Sequence, residues 1–100
     1  MLLKELIDSN LKNVKFTFHA LKQFQEANLE VREVLIALRA QFQIIEEYPD
    51  DPRGSSALIL VFIEDDPIHL VVAPHEDVLI IITGYRPSKD MWIKNYSQRR

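Results

Sequence analysis

The period of the apolar positions changes along the chain, and the change divides it into two parts. Leu2, Leu3, Leu6, Ile7 and Leu11 recur at helical spacing, which predicts a first helix over residues 2–11. Thr17 is a candidate N-cap for a second helix whose apolar stripe is Ala20, Leu21, Phe24 and Ala27. Phe16 before the cap and Leu21 within the helix fit a hydrophobic staple. Asn28 suits either the left-handed end of this helix or the cap of the next. Val31, Val34, Leu35 and Leu38 then predict a third helix over residues 30–40.

After Gln41 the spacing becomes that of strands. The run "FQIIEEY" stops at Pro49, and "YPDDPRGSS" reads as a loop from its proline, aspartate and glycine. Residues 57–63, 68–73 and 78–85 are three further β-rich runs, joined by "EDDP" and "PHED". Links this short require antiparallel hairpins, because a parallel crossover needs about a dozen residues or more. The expected fold class is therefore α+β: N-terminal helices followed by a four-stranded antiparallel meander, in a single domain covering residues 1–100. The central runs are apolar on both faces. Helices cover one face, which leaves the other for the C-terminal segment around Trp92, a second copy of the chain, or a partner.

Composition narrows the function classes modestly. An apolar content of 47% allows a substantial core. The absence of cysteine excludes disulfides and thiolate metal sites, and is compatible with a cytoplasmic location. No apolar run approaches the ~20 residues of a membrane helix, and "MLLKELIDSN" lacks the pattern of a signal peptide, so no membrane partner is expected. Net charge is −3, which argues against general nucleic-acid binding. Its distribution softens that argument. Residues 86–100 carry five basic residues against Asp90 alone, a balance of +4 that leaves −7 on the first 85 residues. A local basic stretch can meet a phosphate, since charges within roughly 8–10 Å count most.

Candidate chemistry begins with the histidines. His19, His69 and His75 have none of the spacings of a metal site, so no metal is expected. His75 reads as a solvated turn residue. His69 stands near the start of a predicted central strand, sharing a face with Val71 and Ala73. Closing the hairpin from residues 68–73 to 78–85 places His69 beside Tyr85, whereas a one-residue slip would put them on opposite faces. A half-buried structural histidine is the plainer reading of His69. His19 falls in the first turn of the second helix, where free N–H groups favour anions and a neutral imidazole. Its position alone also fits a polar residue on the outer helix face. With two glycines in the chain there is no phosphate-binding glycine loop, and no cofactor is expected. The acidic pairs Asp50–Asp51, Glu46–Glu47 and Asp65–Asp66 lie in or beside turns and read as solvating residues.

Taken in order, "FHALKQF", "VREVLIAL", "IIEEYPDDPRGSSALIL", "DPIHLVVAP" and "LIIITGYRP", then a tryptophan and a terminal Arg-Arg, resemble the bacterial domain of unknown function 4258 family across residues 16–100. The combination of motifs is specific, although each piece alone is weak. That family is grouped with RelE- and barnase-like ribonucleases, whose core also places helices before a four-stranded sheet. The resemblance implies a toxin of a toxin–antitoxin pair, acting as a metal-independent endoribonuclease. Its partners would be RNA and an antitoxin of the zinc-finger type. It also implies His19, His69 and Tyr85 as catalytic candidates, with Arg86 and Arg99 as phosphate-binding candidates. One departure stands out: Gln23 occupies a position where the family usually has arginine. The alternative expectation is a non-catalytic interaction module, forming a homodimer or holding an antitoxin-like partner through the apolar second face of the sheet.

Overall fold

Helix α1, Leu3–Ser9, is shorter than the apolar spacing predicts and buries only Ile7. It ends at Asn10, whose side-chain amide donates to the carbonyls of Glu76 and Val78 at 3.1 and 3.0 Å. The protein is described here by a computed structural model covering residues 2–52 and 54–100. Met1, in the N-terminal stretch, and Arg53, in the predicted 48–56 loop, lie outside the described residues.

Strand β1, Val14–Phe16, follows and leads directly into helix α2, Phe18–Glu26. Thr17 makes the joint. Its hydroxyl accepts the Ala20 N–H at 3.0 Å, as an N-cap should, and donates to the Ile82 carbonyl at 2.9 Å. The helix end is thereby tied to the sheet. Asn28 adopts the left-handed conformation (φ 57°) that ends α2. Helix α3, Val31–Ala40, buries Val34, Ala37 and Leu38. The expected staple is rearranged: Leu21 is exposed, and the Phe16 ring packs edge-on against Phe24 at 5.7 Å between centroids.

The four predicted strands are present as β2 (Gln43–Tyr48), β3 (Ser56–Ile63), β4 (Asp66–His75) and β5 (Val78–Tyr85). They form the expected antiparallel meander. The links are shorter than the sequence suggested. Ile63 pairs with Asp66 and His75 with Val78, which leaves two-residue turns whose first residues, Glu64 and Glu76, are left-handed. Strand β1 was not anticipated. It adds a fifth strand parallel to β5, giving the order β1-β5-β4-β3-β2. Strands β6 (Trp92–Ile93) and β7 (Gln98–Arg99) make a separate two-stranded hairpin in the C-terminal segment.

The helices cover one sheet face. Ile59, Leu70 and Ile81 meet Ala20, Phe24 and Leu38 in a single buried cluster. Gly84 belongs to this face for a steric reason. A Cβ there would collide with the Phe24 ring and lie 2.9 Å from Leu70 Cδ2. The neighbouring strand positions point to the second face. There the C-terminal segment lies over one end, with Trp92 buried. Of the coverings the sequence allowed for the second face, the C-terminal segment thus supplies one.

Candidate functional site

Strand register assembles the site. On the second face, Leu60 of β3 pairs with His69 of β4, and His69 pairs with Tyr85 of β5. In the adjoining row, Glu46 of β2 pairs with Leu58, Leu58 with Val71, and Val71 with Thr83. A carboxylate, an imidazole and a phenol from three strands therefore share one face. A bulge in β5 opposite Val71 and Val72 keeps Thr83 and Tyr85 on the His69 side while Ile81 enters the core.

His69 is fully buried, and both ring nitrogens are engaged. Nε2 lies 2.8 Å from the Tyr96 carbonyl, and Nδ1 lies 3.1 Å from the Tyr85 hydroxyl. A carbonyl only accepts, so Nε2 carries the proton and Tyr85 donates to Nδ1. The ring is neutral in this arrangement. Burial holds its pKa below that of an ordinary histidine, opposed by the bond to Tyr96. Trp92 packs edge-on to the imidazole at 4.4 Å and Tyr85 at 5.3 Å.

Arg99 completes the group from the C-terminal hairpin. It forks onto Glu46, with Nε to Oε2 at 2.6 Å and Nη2 to Oε1 at 3.0 Å, and lies 4.7 Å over the Trp92 ring. That bond holds the Glu46 carboxyl below its usual range despite partial burial. The Tyr48 hydroxyl also donates to Glu46. Burial, then the Glu46 bond, pushes the Tyr48 phenol up to about 12. Burial likewise raises Tyr85. The Glu46 and Arg99 charges both reach His69 and Tyr85, so the four groups respond to one another electrostatically.

The structure brings His69, Tyr85 and Arg99 together and leaves His19 and Arg86 elsewhere. His19 is exposed in the first turn of α2, the helix that packs Ala20 and Phe24 on the opposite face of the sheet. No hydrogen bond or ring contact joins it to the group among the described residues. Arg86 donates to the Ala27 carbonyl at 3.2 Å and pairs with Asp66 at 3.5 Å, closing the exposed end of α2. Gln23 accepts the Gly84 N–H at 3.0 Å through Oε1. An arginine has no acceptor, so it could not make this tie between α2 and β5.

Sequence reasoning missed Glu46 and Tyr48. Both lie in the run "QIIEEY", where Glu46–Glu47 looked like a solvating pair. An available signal was the period-2 placement of Glu46 and Tyr48 on one face of a strand. Among the described residues, no group of three or more histidine, aspartate or glutamate side chains could hold a metal ion. No helix there is long and apolar enough to cross a membrane.

No curated protein and no solved structure matches the chain. Residues 16–86 do match a family model described as domain of unknown function (DUF4258), more than half of the chain, and with its Phe-His-Ala helix start, Pro-x-His strand and Thr-x-Tyr strand end inside that span, the protein belongs to this family.

Proposed function

We propose that this protein is a metal-independent endoribonuclease of the toxin type, with His69 and Tyr85 as its acid–base pair. The supporting observation is the meeting of His69, Tyr85, Glu46 and Arg99 on one sheet face, where an imidazole and a phenol are already hydrogen-bonded. Together these groups supply what cleavage of RNA at its 2′-hydroxyl requires: a proton acceptor, a proton donor and a cation for the phosphoryl oxygens.

The Tyr85 hydroxyl can donate to Nδ1 or accept from it, so it serves either tautomer of His69. With the proton on Nδ1, the free Nε2 takes the proton of the ribose 2′-hydroxyl as that oxygen bonds to phosphorus. The bond from phosphorus to the 5′-oxygen breaks, and the leaving oxygen takes the Tyr85 proton. Nδ1 returns a proton to Tyr85, which leaves His69 as the Nε2–H tautomer found in the structure. Arg99, turned from Glu46 to the phosphate, offsets the charge on the phosphoryl oxygens. The products are a 2′,3′-cyclic phosphate and a 5′-hydroxyl.

The test in cells compares wild type, His69→Ala, Tyr85→Phe and His19→Ala at matched protein levels. Wild type slows growth and fragments RNA. His69→Ala and Tyr85→Phe abolish both effects, while His19→Ala, which alters a histidine outside the group, retains them. Equal growth with intact RNA in all four contradicts the proposal.

A second reading is an interaction module. It rests on the uncovered end of the second face, where Ala73, Ile80 and Ile82, with Thr17 and His75 at the margin, line an apolar hollow of about 320 Å³. A homodimer or an antitoxin-like partner would cover it. Light scattering that gives twice the chain mass, together with full cellular tolerance of the wild type, favours this reading over the first.

A further inference from the structure

We propose that residues 88–99 form a displaceable strap that keeps the His69–Tyr85 pair shut until RNA lifts it. This rests on the endoribonuclease reading above and deepens it, because it concerns how the same site is reached.

The strap blocks the atom that the chemistry needs. Its Tyr96 carbonyl occupies His69 Nε2 at 2.8 Å, and its Trp92 ring stands edge-on against the imidazole at 4.4 Å. His69 has no exposed surface under this cover. RNA cannot reach the ring while these contacts hold.

The strap is attached in a way that permits release. Its hairpin, β6 with β7, is a separate two-stranded sheet and, among the described residues, shares no ladder with the five main strands. Its turn runs through Lys94, Asn95 and Tyr96 with φ of 50°, 56° and 69°. Three consecutive non-glycine residues in the left-handed region each carry a steric cost between Cβ and the backbone, smaller for asparagine than for lysine or tyrosine. The closed conformation therefore opposes local backbone preference, and its contacts to His69 and Glu46 must offset that cost.

The strap also carries what would engage RNA. Lys89, Lys94 and Arg99 lie in it, and Arg100 follows, donating to the Lys89 carbonyl at 2.8 Å. Its main ionic hold is the Arg99–Glu46 pair, in which the arginine side chain is 55% exposed. A phosphate presented from solvent can compete with Glu46 for that guanidinium. Exchanging the carboxylate for a phosphate would free β7 and move the Tyr96 carbonyl off His69. Beneath the strap lie an imidazole, two phenols and a carboxylate, a polar set that a purely structural cover would not require.

Trp92 is the sole tryptophan, so its emission reports strap position in the full-length chain without labelling. Asn95→Val places a β-branched residue at a left-handed position and loosens the strap, while Asn95→Gly relieves strain and tightens it. Among the described residues Asn95 has no hydrogen bond or ring contact with His69, Tyr85 or Glu46. The expected result is red-shifted, more quenchable Trp92 emission in Asn95→Val with several-fold faster RNA cleavage, and slower cleavage in Asn95→Gly. A 2′-O-methyl RNA oligonucleotide, which cannot be cut, should expose Trp92 in the wild type. The strap is overturned if wild type cleaves RNA while bound oligonucleotide leaves Trp92 buried. It is equally overturned if Asn95→Val exposes Trp92 without faster cleavage. If neither wild type nor Asn95→Val binds or cleaves RNA, the ribonuclease reading itself falls, and the strap falls with it.

Discussion

His69 and Tyr85 face each other across β4 and β5, with Nδ1 3.1 Å from the phenolic oxygen, inside a region where the imidazole has no contact with solvent. Tyr85→Phe removes the donor and leaves a buried acceptor unpaired. The expected loss of stability is about 1–3 kcal/mol, read as a lower urea midpoint with unchanged slope. Under the proposed mechanism the same change lowers RNA cleavage by about 10²–10⁴-fold, a loss that stability alone does not produce when the variant is assayed fully folded.

Stability should depend on pH through His69. Its pKa is lowered in the folded state by burial, while the unfolded chain titrates near the ordinary value of about 6.5. Below about pH 6.5 the unfolded state binds more protons, so folding stability falls as pH drops through that value and toward the folded pKa. Glu46 acts in a lower window. Arg99 depresses its pKa, so its contribution is complete above the ordinary value of 4.5 and is lost as pH falls through the folded one. Urea midpoints at pH 8, 6.5 and 5.5 check the first effect. His69→Gln should flatten the slope between pH 6.5 and 5.5.

Gln23 holds α2 to the end of β5 by accepting the Gly84 N–H. Gln23→Ala leaves that buried donor without its partner and should cost about 1–3 kcal/mol. Gln23→Glu keeps an acceptor and should cost less. Hydrogen exchange at the Gly84 amide gives the local readout: fast in Gln23→Ala, slower in Gln23→Glu.

Gly84→Ala tests the close approach of α2 to the sheet. The added methyl would meet Phe24 and Leu70, both without freedom to withdraw in a buried core. The expected destabilisation is about 1–3 kcal/mol, and thermal unfolding measures it.

Most of the fold was legible because its signals are local. Thr17 announces the start of α2, and Val34 with Leu38 announces α3. The short links "EDDP" and "PHED" already force β3, β4 and β5 into a meander, and closing the β4–β5 hairpin was enough to pair His69 with Tyr85. What escaped depends on distant partners. Strand β1 has three residues, too few for a period, and pairs with residues 79–81 far along the chain. Leu21 looked like core by spacing, but the Phe16 ring reaches Phe24 instead and leaves Leu21 exposed. Glu46 gains its place only when Arg99, 53 residues later, folds back over Trp92. His19 and His69 look equivalent as histidines in motifs, yet alternation along β4 and the packing of α2 put them on opposite sides of the sheet.

The most direct test incubates purified full-length protein with single-stranded RNA in the presence of a chelator and identifies the new ends. Our account predicts cleavage that survives chelation, leaves 2′,3′-cyclic phosphate and 5′-hydroxyl ends, and disappears in Tyr85→Phe. Intact RNA with both wild type and Asn95→Val, or cleavage undiminished in folded Tyr85→Phe, would contradict it.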